Sequence, residues 1–401
     1  MLWTLKKIGY RIFQFVLTTG MRLMPWRAPE LLTGAGSIKL LPAHIKRSGL
    51  GKALIITGTV SRKIGQLDSF FAACDAAGLQ GVVYDGVEPN PSLENIEAAR
   101  KLYVENKCDC IVGFGGGSAI DCAKAAGARI ARPERSISQM GGTLRVRKKL
   151  PPLFVVPTTA GSGTETTVAA VVTDRAAQRK YAIQDPALIP LCAVLDPELT
   201  VSLPPHTTSA TGMDALTHAV ESYTNLFAPK SAREDAVEAV RLIFANLEKA
   251  YRDGGDLDAR RNMQLAAFDA GAAFTRAFVG YVHCVAHALG GLYGTPHGLA
   301  NAVILPCVLE RYGAPVYGKL ARLAQAAGLG GISDAEKAAA FIAEIRRMNE
   351  RMGIPAKFDF ILEKDIPLII RRAMKEANPL YPVPVLWREP DFRGLIDDLR
   401  A

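Results

Sequence analysis

Between residues 52 and 130 short apolar runs alternate with stretches of helical period. The runs at 53–56, 82–84 and 110–114 are brief and rich in β-branched or aromatic residues, and the segments 69–77 and 93–104 between them repeat their apolar positions every three or four residues. That alternation predicts βαβ units and a parallel sheet. A further run at 153–156 opens another unit. After Leu203-Pro204-Pro205 the strand-like runs become rare and long Ala-rich segments of helical period take over, as at 231–252 and 334–352. The pattern predicts an α/β domain over residues 28–204 and an all-helical domain over residues 205–401.

Residues 1–27 read differently. Thr4, Lys7, Arg11, Gln14 and Thr18 form the polar stripe of one helix, and the remaining surface carries Leu2, Trp3, Leu5, Ile8, Ile12, Phe13, Phe15, Val16 and Leu17. So wide an apolar face is expected to be covered. Two covers are open: the helix docks on its own domain or a neighbouring subunit, or it lies in the surface of an anionic membrane. Lys6, Lys7, Arg11, Arg22 and Arg27 would then meet the headgroups, and no acidic residue precedes Glu30. A secretory signal does not fit, because the apolar core is short and no small-residue cleavage site comes after it; a presequence does not fit either, because no serine precedes Ser37.

Composition narrows the class. At 401 residues the chain has room for two or three domains, its 49% hydrophobic and 22% charged residues are ordinary for a globular protein, and no apolar run reaches the length of a spanning helix. The excess of 48 basic over 39 acidic residues is only partly concentrated. Its one cluster away from the N-terminus, Arg145, Arg147, Lys148 and Lys149, lacks interleaved aromatics and reads as a solvated loop, so nucleic acid is not an expected partner. Seven scattered cysteines make no disulfide framework and point to a reducing, cytoplasmic setting. Cys108 and Cys110 read as core residues beside a strand.

Three constellations carry chemistry. Gly115-Gly116-Gly117-Ser118 comes after the apolar run ending at Phe114 and opens a helix, where free backbone amides and the helix N-terminus suit a phosphate, although a tight turn alone would also need such glycines. The segment 158–165, dense in Thr, Ser and Gly, sits at the end of another strand, and two such loops together favour a nucleotide at the C-terminal edge of the sheet. Asp214 and His218 lie one helical turn apart, His283 and His287 repeat that spacing, and His297 comes after a Gly-rich turn at 290–294. Any one of these histidines alone reads as an ordinary hydrogen-bonded residue. Clustered with a carboxylate and without thiolates, they suit Fe(II) or Zn(II).

These motifs carry a resemblance. CDCIVGFGGGSAIDCAK at 108–124, VPTTAGSGTE at 156–165, DPELTVSLPPHTTSATGMDALTHAVESY at 196–223, GYVHCVAHALGGLYGTPHGLANAVILP at 280–306 and EANPLYPVP at 376–384 resemble the iron-dependent (group III) alcohol dehydrogenase family, from about residue 29 onward. The resemblance implies a dinucleotide-binding α/β domain with a parallel sheet, a helical metal-binding domain, a cleft between them, and a homo-oligomer, a dimer or larger. It implies metal ligands at Asp214, His218, His283 and His297, with His287 as the catalytic histidine that does not bind the ion. Cofactor contacts are implied at Gly116, Gly117, Ser118, Asp121, Thr158, Thr159, Ser162, Val171 and Lys180. The implied reaction interconverts a small primary or secondary alcohol and its aldehyde or ketone with NAD or NADP, the metal acting as Lewis acid on the substrate oxygen. One position departs from the family pattern. Gly58 stands where many members carry an Asp for the adenosine ribose, with Arg62 and Lys63 close behind, so NADP is expected to be accepted. Two other functions compete with this one: a dehydroquinate synthase-type lyase would need basic residues near the ligands, and a non-catalytic metal-binding homologue would lack a ligand or the glycine turn. The ligand neighbourhood is apolar and glycine-rich, and nothing in the set is missing.

Overall fold

The computed structural model describes residues 2–22, 24, 26–177 and 179–401, and of Leu2 the backbone only. The chain divides into an α/β unit, Trp26–Leu203 with Gly255–Gln264, and a helical unit, Pro204–Gly254 with Leu265–Ala401, to which the N-terminal helix α1 (Leu2–Arg22) belongs.

Among the described residues of the α/β unit, nine strands make two sheets. β1 (Glu30–Thr33), β2 (Lys52–Gly58), β3 (Gln80–Val87), β4 (Cys110–Gly115), β6 (Leu153–Pro157) and β9 (Cys192–Leu195) form a parallel sheet in the order β1-β9-β6-β4-β2-β3. β5 (Gly142–Thr143), β7 (Ala169–Asp174) and β8 (Arg179–Gln184) form a smaller one in the order β5-β8-β7. The four apolar runs of the sequence lie in β2, β3, β4 and β6. Central strands of the large sheet are buried on both faces, with Leu54, Ile55, Ile111, Val112 and Val155 inaccessible to solvent, which is why they read as continuous apolar runs rather than alternating ones. Helices α2 (Leu41–Arg47), α3 (Thr59–Lys63), α4 (Asp68–Ala77), α5 (Leu93–Glu105), α6 (Gly117–Ala131) and α7 (Ile137–Met140) complete the unit. Start signals for α5 are local: Ser92 and Asn95 cap each other's backbone amides.

The register of β4 against β6 sets two loops beside each other. Gly115 pairs with Pro157, so the glycine turn after β4 and the hydroxyl-rich loop after β6 leave the sheet as neighbours. A buried cation fixes them from behind. Lys124 on α6 donates to the carbonyls of Thr164, Thr167 and Ala169 at 2.5, 2.7 and 3.0 Å and to Thr167 Oγ1 at 2.9 Å. Burial pushes its ammonium down to about 8, with Asp121 and Glu165 opposing, and pushes the Glu165 carboxyl up to about 7.

The helical unit contains α8 (Pro205–Thr224), α9 (Lys230–Arg252), most of α10 (Leu257–Ala277), α11 (Tyr281–Tyr293), α12 (His297–Tyr312), α13 (Tyr317–Ala326), α14 (Asp334–Arg351), α15 (Ile366–Ala377) and α16 (Glu389–Leu399). Tyr281, Trp387 and Phe392 pack ring on ring at its centre. No helix among the described residues is long and apolar enough to cross a membrane. All seven cysteines are free and buried, and the basic loop at 145–149 is exposed save for Val146.

One expectation is reversed. Most of the wide apolar face of α1 is exposed, with Phe15 touching the ring of Phe227, whereas the C-terminal part of its polar stripe is covered by this chain. Gln14 and Thr18 are buried and Arg11 is half-buried, while Leu5, Ile8, Ile12, Phe13, Phe15 and Val16 are exposed. The cause is the partner segment at 379–384, which holds three prolines and therefore offers carbonyls without the matching N–H groups. Donors must come from elsewhere. Arg11 donates to the carbonyls of Val383 and Pro384 at 2.8 and 3.1 Å, and the Gln14 amide donates to those of Pro379 and Tyr381 at 2.9 and 2.8 Å.

Lys124→Met should destabilise the α/β unit by about 3 kcal/mol, because buried carbonyls lose an ionised donor. A lowered urea midpoint at unchanged slope reads this out.

Candidate functional site

The helical unit brings one carboxylate and four imidazoles together. Asp214, His218 and Glu221 fall at spacings of four and three along α8 and share one of its faces. α12 comes close to that face because its second residue is glycine: a Cβ on Gly298 would sit 2.2 Å from the carbonyl oxygen of Ala210. This approach places His297 beside Asp214, with Nε2 3.4 Å from Oδ1. From α11, His283 Nε2 reaches within 3.8 Å of the same oxygen. The three donor atoms lie within 4.8 Å of one another. Ligands on a tetrahedral ion with bonds of roughly 2.1 Å stand about 3.4 Å apart, so a small inward movement would let this set hold one.

The protonation states fit a cation. Burial, followed by the neighbouring His218, His297 and His287, holds the His283 imidazole well below its ordinary range, hence neutral. Its Nδ1 faces Glu221 Oε2 at 2.6 Å, so Nε2 is the ring nitrogen turned towards Asp214. Glu221 also accepts from the amides of Gly280 and Val282, both at 2.7 Å, and so ties α8 to the start of α11. Burial pushes its carboxyl up to about 8 against these donors. Asn301, one turn after His297, turns its amide nitrogen towards Asp214 Oδ1, His283 Nε2 and His297 Nε2 at 2.8, 3.2 and 3.1 Å. One amide nitrogen facing a carboxylate oxygen and two imidazole nitrogens marks a cluster of ligand type that a metal ion would complete.

His218 is not one of the three atoms closest together. Its buried ring is stacked between Phe274, at 4.2 Å, and His283, at 4.5 Å. His287 lies one turn beyond His283 with its side chain 46% exposed, stacked on His297 at 5.0 Å. Its Nδ1 is 2.7 Å from Glu376 Oε1, which also accepts from the Tyr381 hydroxyl at 2.9 Å. Burial pushes the Glu376 carboxyl up, but His287, Tyr381 and His297 outweigh it and hold the group below its ordinary range. His287 thus stands against a carboxylate.

The α/β unit holds the other cluster. α6 begins at Gly117 after Gly116, with no side chain capping its first amides, so they point towards whatever lies beyond the helix. The second loop closes over this turn so tightly that a Cβ on Gly116 would meet Thr159 Cγ2 at 3.4 Å and one on Gly117 would meet Ser162 Oγ at 3.1 Å. The amide of Thr158, itself buried, donates to Gly115 O at 3.0 Å. Lys180 Nζ donates to Asn90 Oδ1 at 2.6 Å, and Ser118 Oγ accepts from the Asn90 amide at 3.2 Å. Asn90, in the left-handed region at φ 59°, is thereby added to the anticipated residues. Asp121 braces these loops. Each of its oxygens accepts a bond from the chain, one from Thr164 Oγ1 at 2.7 Å and the other from the Val171 amide at 3.1 Å.

Comparisons with known proteins agree with this chemistry. The profile of iron-containing alcohol dehydrogenase matches residues 28–197, and that of the Fe-containing alcohol dehydrogenase family C-terminal region matches residues 208–389. The 1,3-propanediol dehydrogenase of Klebsiella pneumoniae is 38% identical over 364 residues, covering 89% of this chain and 94% of that protein. Lactaldehyde reductase of Escherichia coli K12 is 34% identical over 350 residues, covering 86% of this chain and 91% of that protein. Among solved structures, a 1,3-propanediol oxidoreductase superimposes with a TM-score of 0.90 at 34% identity, covering 94% of this chain and 100% of that one. Sulfoacetaldehyde reductase from Bifidobacterium kashiwanohense, solved with NAD+, gives 0.85 at 27% identity, covering 94% and 98%. The chain belongs to the iron-containing alcohol dehydrogenase family. It is a metal-dependent oxidoreductase of alcohols and aldehydes that uses NAD and iron, and the lyase alternative is not favoured.

Glu221→Gln should weaken divalent-ion affinity 10- to 100-fold by loosening the orientation of His283. Calorimetric titration of the metal-stripped variant with Fe(II) or Zn(II) measures it.

Proposed function

We propose that this enzyme interconverts a small primary or secondary alcohol and its carbonyl product, with Asp214, His218, His283 and His297 as the metal ligands and His287 as the proton-handling residue. The observation that carries the reading is the convergence of Asp214 Oδ1, His283 Nε2 and His297 Nε2, with a half-exposed histidine one helical turn away. When bound, the ion supplies Lewis acidity to the substrate oxygen and the nicotinamide exchanges the hydride. The residues of the chain do the rest. Glu221 holds His283 in one tautomer, and Asn301 spaces the donors. Glu376 steadies a positive charge on His287, so that this imidazole can take the hydroxyl proton of an alcohol and pass it to water. Phe274 shields the buried face of His218.

For the cofactor, Gly116, Gly117, Ser118, Thr158, Thr159, Ser162, Val171 and Lys180 are assigned to the dinucleotide, its diphosphate at the start of α6. Acceptance of NADP is part of the proposal. Gly58 ends β2 with no carboxylate to repel a 2′-phosphate, and its Cβ position, 3.3 Å from Val87 O, leaves little room for one. Arg62, on the short helix α3, lies with its guanidinium 4.8 Å from the ring centre of Phe71, and Lys63 beside it is exposed. Relatives named for 1,3-propanediol and lactaldehyde make short, oxygen-rich substrates the first to assay.

His283→Ala and His297→Ala should each lose the ion and all turnover, whereas His287→Ala should keep the ion and turn over about 100-fold more slowly. Metal analysis of the purified variants beside their rates tests this; an ion lost from His287→Ala and kept by His283→Ala reverses the assignment. For the cofactor, kcat/KM with NADPH should equal or exceed that with NADH, and Arg62→Ala should lower only the NADPH value. Strong discrimination against NADPH refutes it.

A further inference from the structure

We propose that α1 seats this protein on an anionic lipid bilayer, its outward ridge entering the boundary between headgroups and acyl chains. Six of the fifteen large hydrophobic side chains exposed among the described residues lie on this one helix: Leu5, Ile8, Ile12, Phe13, Phe15 and Val16, each 44% to 63% exposed. At 100° per residue they fall on one side and make a continuous ridge instead of scattered surface contacts. The ridge cannot turn inward without breaking the four hydrogen bonds that Arg11 and Gln14 give to the segment at 379–384, and Gln14 is wholly buried there. Docking therefore holds the apolar side towards the outside.

Charge decides what covers it. Lys6 lies at one edge of the ridge and Arg22, which also donates to the Phe227 carbonyl, at the other, and the helix carries no acidic residue. A second copy packed ridge to ridge would bring these cations together without a carboxylate on the helix to pair them. Anionic headgroups would pair all of them, at about 1 kcal/mol each near the surface. The helix is too polar to span a bilayer and has the composition of one that lies on it, with Trp3, Tyr10, Phe13 and Phe15 as its aromatic residues. It also precedes the region matched to the family, which begins at residue 28, so the surface is an addition to the shared catalytic chain.

Co-sedimentation of the full chain with phosphatidylglycerol/phosphatidylcholine vesicles and with pure phosphatidylcholine vesicles, at low and high salt, tests the proposal. Binding should be strong only with the anionic vesicles at low salt, and Trp3 fluorescence should shift to the blue on binding. Lys6→Ala should weaken binding about fivefold, and Ile12→Ser with Val16→Ser at least about tenfold. Turnover with a soluble alcohol should stay unchanged in both variants, which shows that they fold. Two results overturn it: full chain that ignores anionic vesicles at low salt, or vesicle binding untouched by Ile12→Ser with Val16→Ser. A molar mass by light scattering that falls in the double variant, without vesicle binding in the parent, would assign the ridge to a second copy.

Discussion

The helical unit is organised around a surplus of lone pairs. A carboxylate oxygen has one imidazole nitrogen at 3.4 Å and another at 3.8 Å, and a single amide nitrogen lies among the three. Electron-rich atoms so arranged are unfavourable together unless positive charge lies among them. Much of the surrounding architecture serves that point. Gly298 lets α12 lie against α8, Glu221 joins α8 to the first turn of α11 while orienting His283, and the ring of Phe274 keeps water from one side of His218. An apolar interior could hold the same helices together with more tolerance of angle and spacing. This centre holds them with little, and that precision is what a reaction at a fixed oxygen requires.

The α/β unit solves the opposite problem. There the buried group is a cation, Lys124, and its compensation comes mainly from carbonyls in the strand-end loops, with Asp121 bracing the same loops by hydrogen bonds of its own. Loops that would otherwise be mobile are thereby given a definite shape. Parallel pairing of β4 and β6 sets them adjacent, and the uncapped start of α6 points outward between them. A rigid cradle with unsatisfied amides suits a diphosphate.

Much of this is legible in the sequence because it is periodic or local. Strands buried on both faces announce themselves as apolar runs, and pairs such as Asp214/His218 and His283/His287 share a helix face by spacing alone. Glu221 and Asn301 carry the same signal, at seven residues after Asp214 and four after His297, but neither is a histidine nor the first acid of its helix, so residue type does not single them out. Glu376 and Tyr381 give no such sign, since Glu376 reaches His287 from 89 residues away, Tyr381 reaches it only through Glu376, and only the fold joins them. β7 and β8 mix polar and apolar residues and escape the apolar-run criterion for that reason. The orientation of α1 is illegible in a deeper sense. Hydrophobicity separates two faces of a helix but assumes that the apolar one is turned inward, and here a proline-rich run of carbonyls makes the polar face the better partner.

The bonds between Arg11 and Val383 join residues 372 positions apart, which has a meaning for the order in which the protein is made. At 5–20 residues per second, on the order of tens of seconds of synthesis separate the helix from the carbonyls that will hold it. Throughout that interval Arg11 and Gln14 lack the carbonyls they will bond and the ridge has no fixed direction. A helix made this long before its partner segment therefore finds its place only after the residues between them have been synthesised.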